Sequence, residues 1–179
     1  MSIENPNQDH EIISVHVITL IENPDDPVLC LYCQSTNKII RIHIGKPESK
    51  ILALALDKSK FERPMSHNLM LELIDALHGE IRHIIIYDLH KGVFHAKICI
   101  QMYDKLGLLM EVQVESRPSD AFILAVLADK PIYVTDTVIE KAGEVNPLGK
   151  KPLEEHFTPE QIESLKKILH RAQKREQET

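Results

Sequence analysis

The feature that most constrains the fold is an apolar stretch, Ala121 to Ala128, in which every residue is hydrophobic. A helix that is apolar all round has to be buried. Pro118 suits the first turn of such a helix, where a missing N–H costs nothing. The segment before it, Leu108 to Val114, alternates toward its end between apolar and polar residues, as a strand does. The sequence therefore predicts a strand that turns into a buried helix.

The junction between these two elements, Glu115 to Ala121, contains an Arg, two hydroxyls and two carboxylates. One interpretation is structural: Ser116 or Ser119 caps the helix, and Asp120 lies near the positive end of the helix dipole. In that case Arg117 only neutralises a neighbouring carboxylate. The other interpretation is a functional site at the junction, and it requires support from elsewhere in the chain.

Composition sets the outer bounds. A chain of 179 residues, 43% of them hydrophobic, is expected to form one compact domain, burying about 70% of its unfolded surface. Trp is absent and aromatic residues make up 4%, so an aliphatic core is expected and base-stacking platforms are not. The net charge of −6 argues against tight nonspecific phosphate binding. A protein that binds nucleic acid can still be acidic overall if its cleft is locally positive or holds a metal.

Periodicity and turn residues predict an α+β fold: a mixed β-sheet with helices packed on its faces, in a single compact domain. The predicted strands are 11–21, 28–34, 38–44, 82–87, 93–102, 108–114 and 131–134. The turn between the strands 82–87 and 93–102 is assigned to residues 88–92. The predicted helices are 47–56, 66–77 and 121–128, and residues 138–142 are predicted to form a short helix or a turn.

The second predicted helix has clear boundary signals. Ser66 is expected to cap its start, and Gly79 is expected to end it. Its apolar residues recur at helical spacing: Leu69, Leu73, Ile74 and Leu77.

The three cysteines suggest a metal or redox site only at first sight. Cys30 and Cys33 form a C-x-x-C, but they lie in a predicted strand, where residues three apart point to opposite faces. Cys99 is alone in another strand. Three structural, reduced thiols are expected, which fits a cytoplasmic protein.

The ends of the chain differ from the core, residues 11–145. Residues 1–10 are expected to be a flexible N-terminus, and 146–179 a linker and a C-terminal amphipathic helix. That helix starts with Thr158-Pro159-Glu160-Gln161. Its apolar stripe and its basic residues are Ile162, Leu165, Ile168, Leu169 and Ala172, and Lys166, Lys167, Arg171, Lys174 and Arg175. The basic residues suit a helix C-terminus; alternatively, the helix docks on a partner subunit or contacts phosphate.

No targeting segment is visible in the sequence. Met1 to Glu11 is polar and lacks a basic region followed by an apolar stretch. No apolar run approaches the roughly 20 residues of a membrane helix. A cytoplasmic location without a membrane partner is expected.

Four motifs follow one another along the chain: Ile42-His43-Ile44-Gly45-Lys46-Pro47-Glu48, Arg63-Pro64-Met65-Ser66-His67-Asn68-Leu69, Asp88-Leu89-His90-Lys91-Gly92-Val93-Phe94-His95-Ala96 and Arg117-Pro118-Ser119-Asp120-Ala121. They occur in the order found in the bifunctional nuclease domain family, which the chain resembles over roughly Ile12 to Glu140. Asn68 and Glu115 stand where the family commonly has Asp, and Val93-Phe94-His95 replaces a common Thr-Phe-Tyr.

The resemblance implies a nuclease that hydrolyses phosphodiester bonds of DNA, RNA or both, with Mg²⁺ or Mn²⁺ assisting and no organic cofactor. The residues that it singles out as catalytic are Glu48, His67, Asp88, Arg117, Ser119 and Asp120. In such a site Arg117 would bind phosphate through two N–H groups, and His67 would act as acid or base. The metal would take oxygen ligands from carboxylates among Glu48, Asp88, Glu115 and Asp120.

A non-enzymatic alternative stays open: an oligomeric binding or scaffold module whose motifs build an interface. The acidic charge and the few aromatic residues favour it. It predicts that the purified protein cuts no nucleic acid, with or without metal. Both interpretations allow a homo-oligomer, with a dimer favoured.

Overall fold

The computed structural model describes residues 11–21, 25–58, 63–104 and 106–146. Within them the strands are β1 (Ile12–Ile21), β2 (Val28–Cys33), β3 (Lys38–His43), β4 (Gly79–His90), β5 (Val93–Tyr103), β6 (Leu109–Ser116), β7 (Ile132–Thr135) and β8 (Glu144–Val145). The helices are α1 (Lys46–Leu56), α2 (Ser66–Ala76), α3 (Pro118–Ala128) and α4 (Asp136–Ala142). The predicted C-terminal helix and the N-terminal ten residues lie outside this part of the chain.

The eight strands form one mixed sheet in the order β6-β5-β4-β7-β1-β2-β3-β8. All neighbouring strands run antiparallel except β4 and β7, which pair in parallel with Ile84 beside Ile132. The chain reaches β7 from the edge strand β6 through α3, so that helix crosses over β5 and β4 to reach the middle of the sheet. The predicted α+β class, with a mixed sheet and packed helices, is confirmed.

The β4–β5 hairpin turns more tightly than predicted. Lys91 and Gly92 both have positive φ angles, 49° and 79°, as a two-residue primed turn requires. The five-residue turn predicted for residues 88–92 is therefore wrong. Asp88 lies within β4, opposite His95 of β5.

The core gathers around α3. Phe122 and Ile123 are fully buried, and they belong to one apolar cluster with Ile84 and Ile86 of β4 and Leu52 of α1. At roughly 25 cal/mol per Å² of apolar surface, burying such side chains is worth about 1.5–3 kcal/mol each. The prediction of a buried helix is confirmed.

Both predictions of serine caps were wrong. Arg117 is the N-cap of α3, without a side-chain capping bond, and Met65 is the N-cap of α2. Ser66 is instead the first residue of α2, and the Asn68 side chain caps the helix by accepting from the Met65 N–H at 3.2 Å. An Asp at position 68 would accept the same bond, so the departure from the family pattern preserves the cap.

The apolar stripe of α2 is only partly covered. Ile74 packs against the core, whereas Leu69, Leu73 and Leu77 are 51%, 54% and 68% exposed. The prediction that Gly79 ends this helix is wrong. The residue with left-handed backbone geometry after the helix is His78, and Gly79 already begins β4.

All three cysteines are buried and free. Burial raises the pKa of the Cys99 thiol to about 11, so this thiol stays protonated and unreactive at neutral pH. These thiols therefore pack in the core as small apolar groups. Among the helices that the structure describes, none has the length and hydrophobicity needed to cross a membrane.

Candidate functional site

The starts of three helices bring four predicted site residues together. Arg117 precedes α3 and Asp120 is the third residue of that helix, while His67 is the second residue of α2 and Glu48 the third of α1. These four residues, here called the helix-start cluster, come from three of the four family motifs. Helix N-termini carry partial positive charge, which stabilises carboxylates there and attracts other anions.

Arg117 joins two of these helices through ion pairs. Its Nε and Nη2 donate to the two carboxylate oxygens of Asp120, at 2.8 and 3.1 Å. Its Nη1 lies 2.9 Å from Oε1 of Glu48. Because two carboxylates hold the guanidinium while the side chain stays 67% exposed, the group is oriented yet open to a ligand.

Asp120 also binds His67. The distance from His67 Nε2 to Asp120 Oδ1 is 3.1 Å, and the His67 side chain is only 7% exposed. An ionised carboxylate can only accept a hydrogen bond. The contact therefore places a proton on Nε2, and Nδ1 is the ring nitrogen that does not contact Asp120.

The electrostatics keep Asp120 ionised. Burial by itself would raise its pKa, but the hydrogen bonds from Arg117 and His67 outweigh that effect and lower the pKa below the usual aspartate value. The same hydrogen bond, from the side of Arg117, raises the pKa of the guanidinium. Asp120 is thus a fixed negative charge that orients both neighbours.

Two buried polar atoms at this junction have no hydrogen-bond partner among the described residues: Nδ1 of His67 and Oγ of Ser116. Most buried polar groups in proteins are paired, so such exceptions mark sites where a ligand, a water or a function completes the set. Both atoms lie on or next to the helix-start cluster, since Ser116 immediately precedes Arg117.

Gly45 leaves the space that Glu48 uses. Its φ of −66° is ordinary for any residue, so the backbone does not demand glycine. A Cβ at this position would instead collide with the Glu48 carboxylate, which folds back over Gly45. The absence of a side chain at Gly45 therefore leaves room for the Glu48 carboxylate in this position.

The remaining two predicted site residues lie differently. Ser119 is buried in the first turn of α3. Asp88 forms an ion pair with Lys141 of α4 at 2.8 Å, and the hydrogen bond from Lys141 lowers the pKa of Asp88. Asp88 therefore links the end of β4 to α4 by an ion pair. Its hydrogen bonds and ion pair within the described residues are with Leu89 and Lys141, not with the helix-start cluster.

A second group of polar side chains, which was not predicted from the sequence, lies on the other face of the sheet. Glu115 accepts from the Tyr87 hydroxyl at 2.8 Å and lies 3.4 Å from Nδ1 of His95. The Lys97 ammonium sits 4.6 Å from the centre of the Tyr87 ring. Burial and the bond to Glu115 raise the pKa of Tyr87 to about 12. Strand alternation alone could have placed Lys97 beside Glu115, but not the Tyr87 contacts.

The donor set does not form a metal centre by itself. In the part of the chain that the structure describes, no group of three or more His, Cys, Asp or Glu side chains is placed to hold a metal ion. Glu48 and Asp120, the two carboxylates of the cluster, are both paired with Arg117. Mg²⁺ or Mn²⁺ would need oxygen ligands beyond these two.

The chain belongs to the family of the bifunctional nuclease domain, whose model matches residues 29–147. Two uncharacterized proteins from strains of Mycobacterium tuberculosis are each 32% identical to it over 124 residues. The alignment covers 69% of this chain and 71% of each relative. The family membership predicted from the four motifs is confirmed, and the relatives' names state no activity.

Proposed function

We propose that the protein is a nuclease that cleaves phosphodiester bonds of DNA or RNA at the helix-start cluster. The observation that carries this proposal is the convergence of Glu48, His67 and the Arg117–Asp120 pair, from three distant segments of the sequence, at the N-termini of three helices. The name of the family supports the class of reaction.

Arg117 is the proposed phosphate-binding residue. It is the most exposed member of the cluster, and its guanidinium can donate to two phosphate oxygens. The N-termini of α1, α2 and α3 add partial positive charge at the same place. Together they offset the two carboxylates, which would otherwise repel a phosphate.

His67 is the proposed acid–base group. Asp120 accepts from its Nε2, which leaves Nδ1 as the proton acceptor. Because Nδ1 is buried, the substrate has to displace α2 to reach it; Nδ1 then takes the proton of an attacking water while the water oxygen bonds to phosphorus and the P–O bond to the leaving oxygen breaks. Asp120 then stabilises the resulting imidazolium, as the carboxylate does in other His–Asp pairs. Ser119 is a neighbouring hydroxyl for which the structure suggests no separate role.

No step of this proposal passes through a metal. Mg²⁺ or Mn²⁺ would stabilise charge on the phosphate if substrate oxygens or other parts of the chain completed its ligand set. The proposed setting is the cytoplasm, which the three free buried cysteines support.

The test is cleavage of fluorescent single- and double-stranded DNA and RNA in Mg²⁺, Mn²⁺ or EDTA. Asp120→Asn and Arg117→Ala, checked for folding, should cut at least about 100-fold more slowly than the native chain. Glu80→Gln is the matched control, because Glu80 lies in β4, away from the helix starts, and forms a surface ion pair with Lys130. Equal cleavage by all four proteins would contradict the assigned site. No cleavage by the native chain would favour the non-enzymatic module.

A further inference from the structure

One edge of the sheet is formed by a long strand, β6. Among the residues that the structure describes, the eight-residue β6 is the last strand on its side, so the backbone N–H and C=O groups that point outward from its alternate residues have no neighbouring strand there. The opposite edge, β8, has only two residues. Proteins usually shorten, charge or cover an exposed edge, and β8 is short whereas β6 is long.

The exposed apolar residues gather at the same edge. Of the fifteen large hydrophobic residues exposed in the described part of the chain, ten belong to α2, to its C-cap Leu77 or to the segment from the end of β5 through β6. These ten are Leu69, Met70, Leu73, Leu77, Tyr103, Leu106, Leu108, Leu109, Met110 and Val114. A concentration of this kind marks an interaction surface.

The helix and the strand share one face of the sheet. Ile74 of α2 and Ile100 of β5 both pack around Gly79, and Ile100 is paired with Val112 of β6. Paired residues point to the same face, so α2 lies over the face that carries Met110, Val112 and Val114. The exposed residues of α2 therefore border the same surface as Met110 and Val114 of β6.

We propose that this surface is the interface between two copies of the chain, in which β6 pairs antiparallel with β6 of the second copy. A two-fold axis at Val112 would oppose Met110 to Val114 on the apolar face and Glu111 to Gln113 on the polar face. The register centred on Gln113 would oppose Glu111 to Glu115, and like charges directly opposite are destabilising. Registers shifted by one residue place apolar against polar faces.

A second copy fits this edge better than the C-terminal segment of the same chain. A free strand edge is satisfied by another strand, whereas the apolar residues between 162 and 172 recur at helical spacing. A two-fold interface also uses the same patch twice, which matches a surface built from one strand and one helix.

The interface would support the helix-start cluster. β6 ends at Ser116, directly before Arg117, and α2 carries both His67 and the exposed leucines. Covering α2 would therefore hold His67 against Asp120. This gives the apolar residues of α2 a role that the single chain does not supply.

Cysteine cross-linking tests the register in the full-length chain. Val112→Cys places two thiols opposite each other across the axis, at the roughly 4.5–5.5 Å Cα separation of paired residues, which suits a disulfide. Gln113→Cys is the matched control, because its copies would be diagonal neighbours on the other face. The native cysteines are buried. Mild oxidation should link most of Val112→Cys and little of Gln113→Cys; equal linking, or none, would overturn the proposed pairing.

Light scattering after size-exclusion chromatography supplies a second test that does not depend on the new cysteine. The native chain should have about twice the 20.5 kDa mass of one copy, and Met110→Lys should have the mass of one copy. Val145→Lys, on the exposed β8 edge, should behave like the native chain. A native chain of 20.5 kDa, or a Met110→Lys protein that keeps the native mass, would refute the interface.

Discussion

The helices α2 and α3 have the same length, eleven residues, and meet at the same polar cluster, but different forces hold them. α3 buries Phe122, Ile123 and Leu124 in the core. In α2 His67 is the only buried residue, and Leu71 and Ile74 are half-buried against the core. Apolar burial therefore fixes the position of α3, whereas α2 has less of it and depends more on its polar start and on whatever covers its exposed leucines.

One side of the candidate site is therefore held more rigidly than the other. Asp120 sits on the helix that the core holds firmly, and His67 on the helix that it holds weakly. Segments with few buried contacts open most easily. A ligand that reached His67 Nδ1 would do so by displacing α2, not α3.

The largest expected effect is the loss of the α3 anchor. Phe122→Ala removes a fully buried ring and should lower the free energy of unfolding by about 3–5 kcal/mol, measured by urea denaturation. Leu77→Ala, at a position 68% exposed on the segment that ends α2, is the control and should cost less than about 1 kcal/mol. Equal costs would mean that the two helices are held alike.

Removing the charge that joins the two helices should cost less. Asp120→Asn weakens charge-assisted hydrogen bonds to Arg117 and His67 at a partly exposed site, so a loss of about 1–2 kcal/mol is expected at pH 7. The native pKa of Asp120 lies below the unfolded value. Its contribution is therefore present above about pH 4 and is lost as pH falls through the lowered native pKa. The difference in the free energy of unfolding between the two proteins should shrink as pH falls from 7 to 3; a constant difference would refute this charge role.

The cap of α2 offers a still smaller effect. Asn68→Ala removes the acceptor of the Met65 N–H and should destabilise the protein by about 1 kcal/mol. Asn68→Asp restores the acceptor with the family's common residue and should recover the loss. If thermal unfolding shows that Asp is as damaging as Ala, the capping role is wrong.

The smallest effect on the fold is expected on the exposed face of α2. In a Met110→Lys background, Leu73→Lys should change the free energy of unfolding by no more than about 0.5 kcal/mol, because Leu73 is 54% exposed. In the otherwise native chain the same substitution should weaken the proposed dimer, measured by sedimentation. A large loss of stability in the Met110→Lys background would show that α2 buries Leu73 within a single chain.

Periodicity was enough to predict α3, the hairpins and the α+β class, because their patterns reflect burial in the core. It failed at the helix starts, where Arg117 and Met65 replaced the expected serines, since the polar cluster and Asn68 satisfy these ends in other ways. A stripe on α2 predicts an apolar face but not what covers it. The exposure of the leucines on α2 could therefore not be predicted from the sequence.

The candidate site was predicted as residues but not as an arrangement. The motifs identified Glu48, His67, Arg117 and Asp120 as candidates. Their contacts depend on how the helices pack, which the motifs do not predict. Asp88 has the same kind of motif, yet its ion pair is with Lys141. That lysine carries no motif, because its role follows only from the placement of α4 beside β4.

The most direct test of the central claim is a double-mutant cycle on His67 and Asp120 in single-turnover cleavage of the best substrate. If the two residues act as one acid–base unit, His67→Gln and Asp120→Asn should each slow cleavage at least about 100-fold, and the double variant should be no slower than the worse single variant. Unchanged rates, or losses that multiply, would contradict the proposal that this pair carries the chemistry.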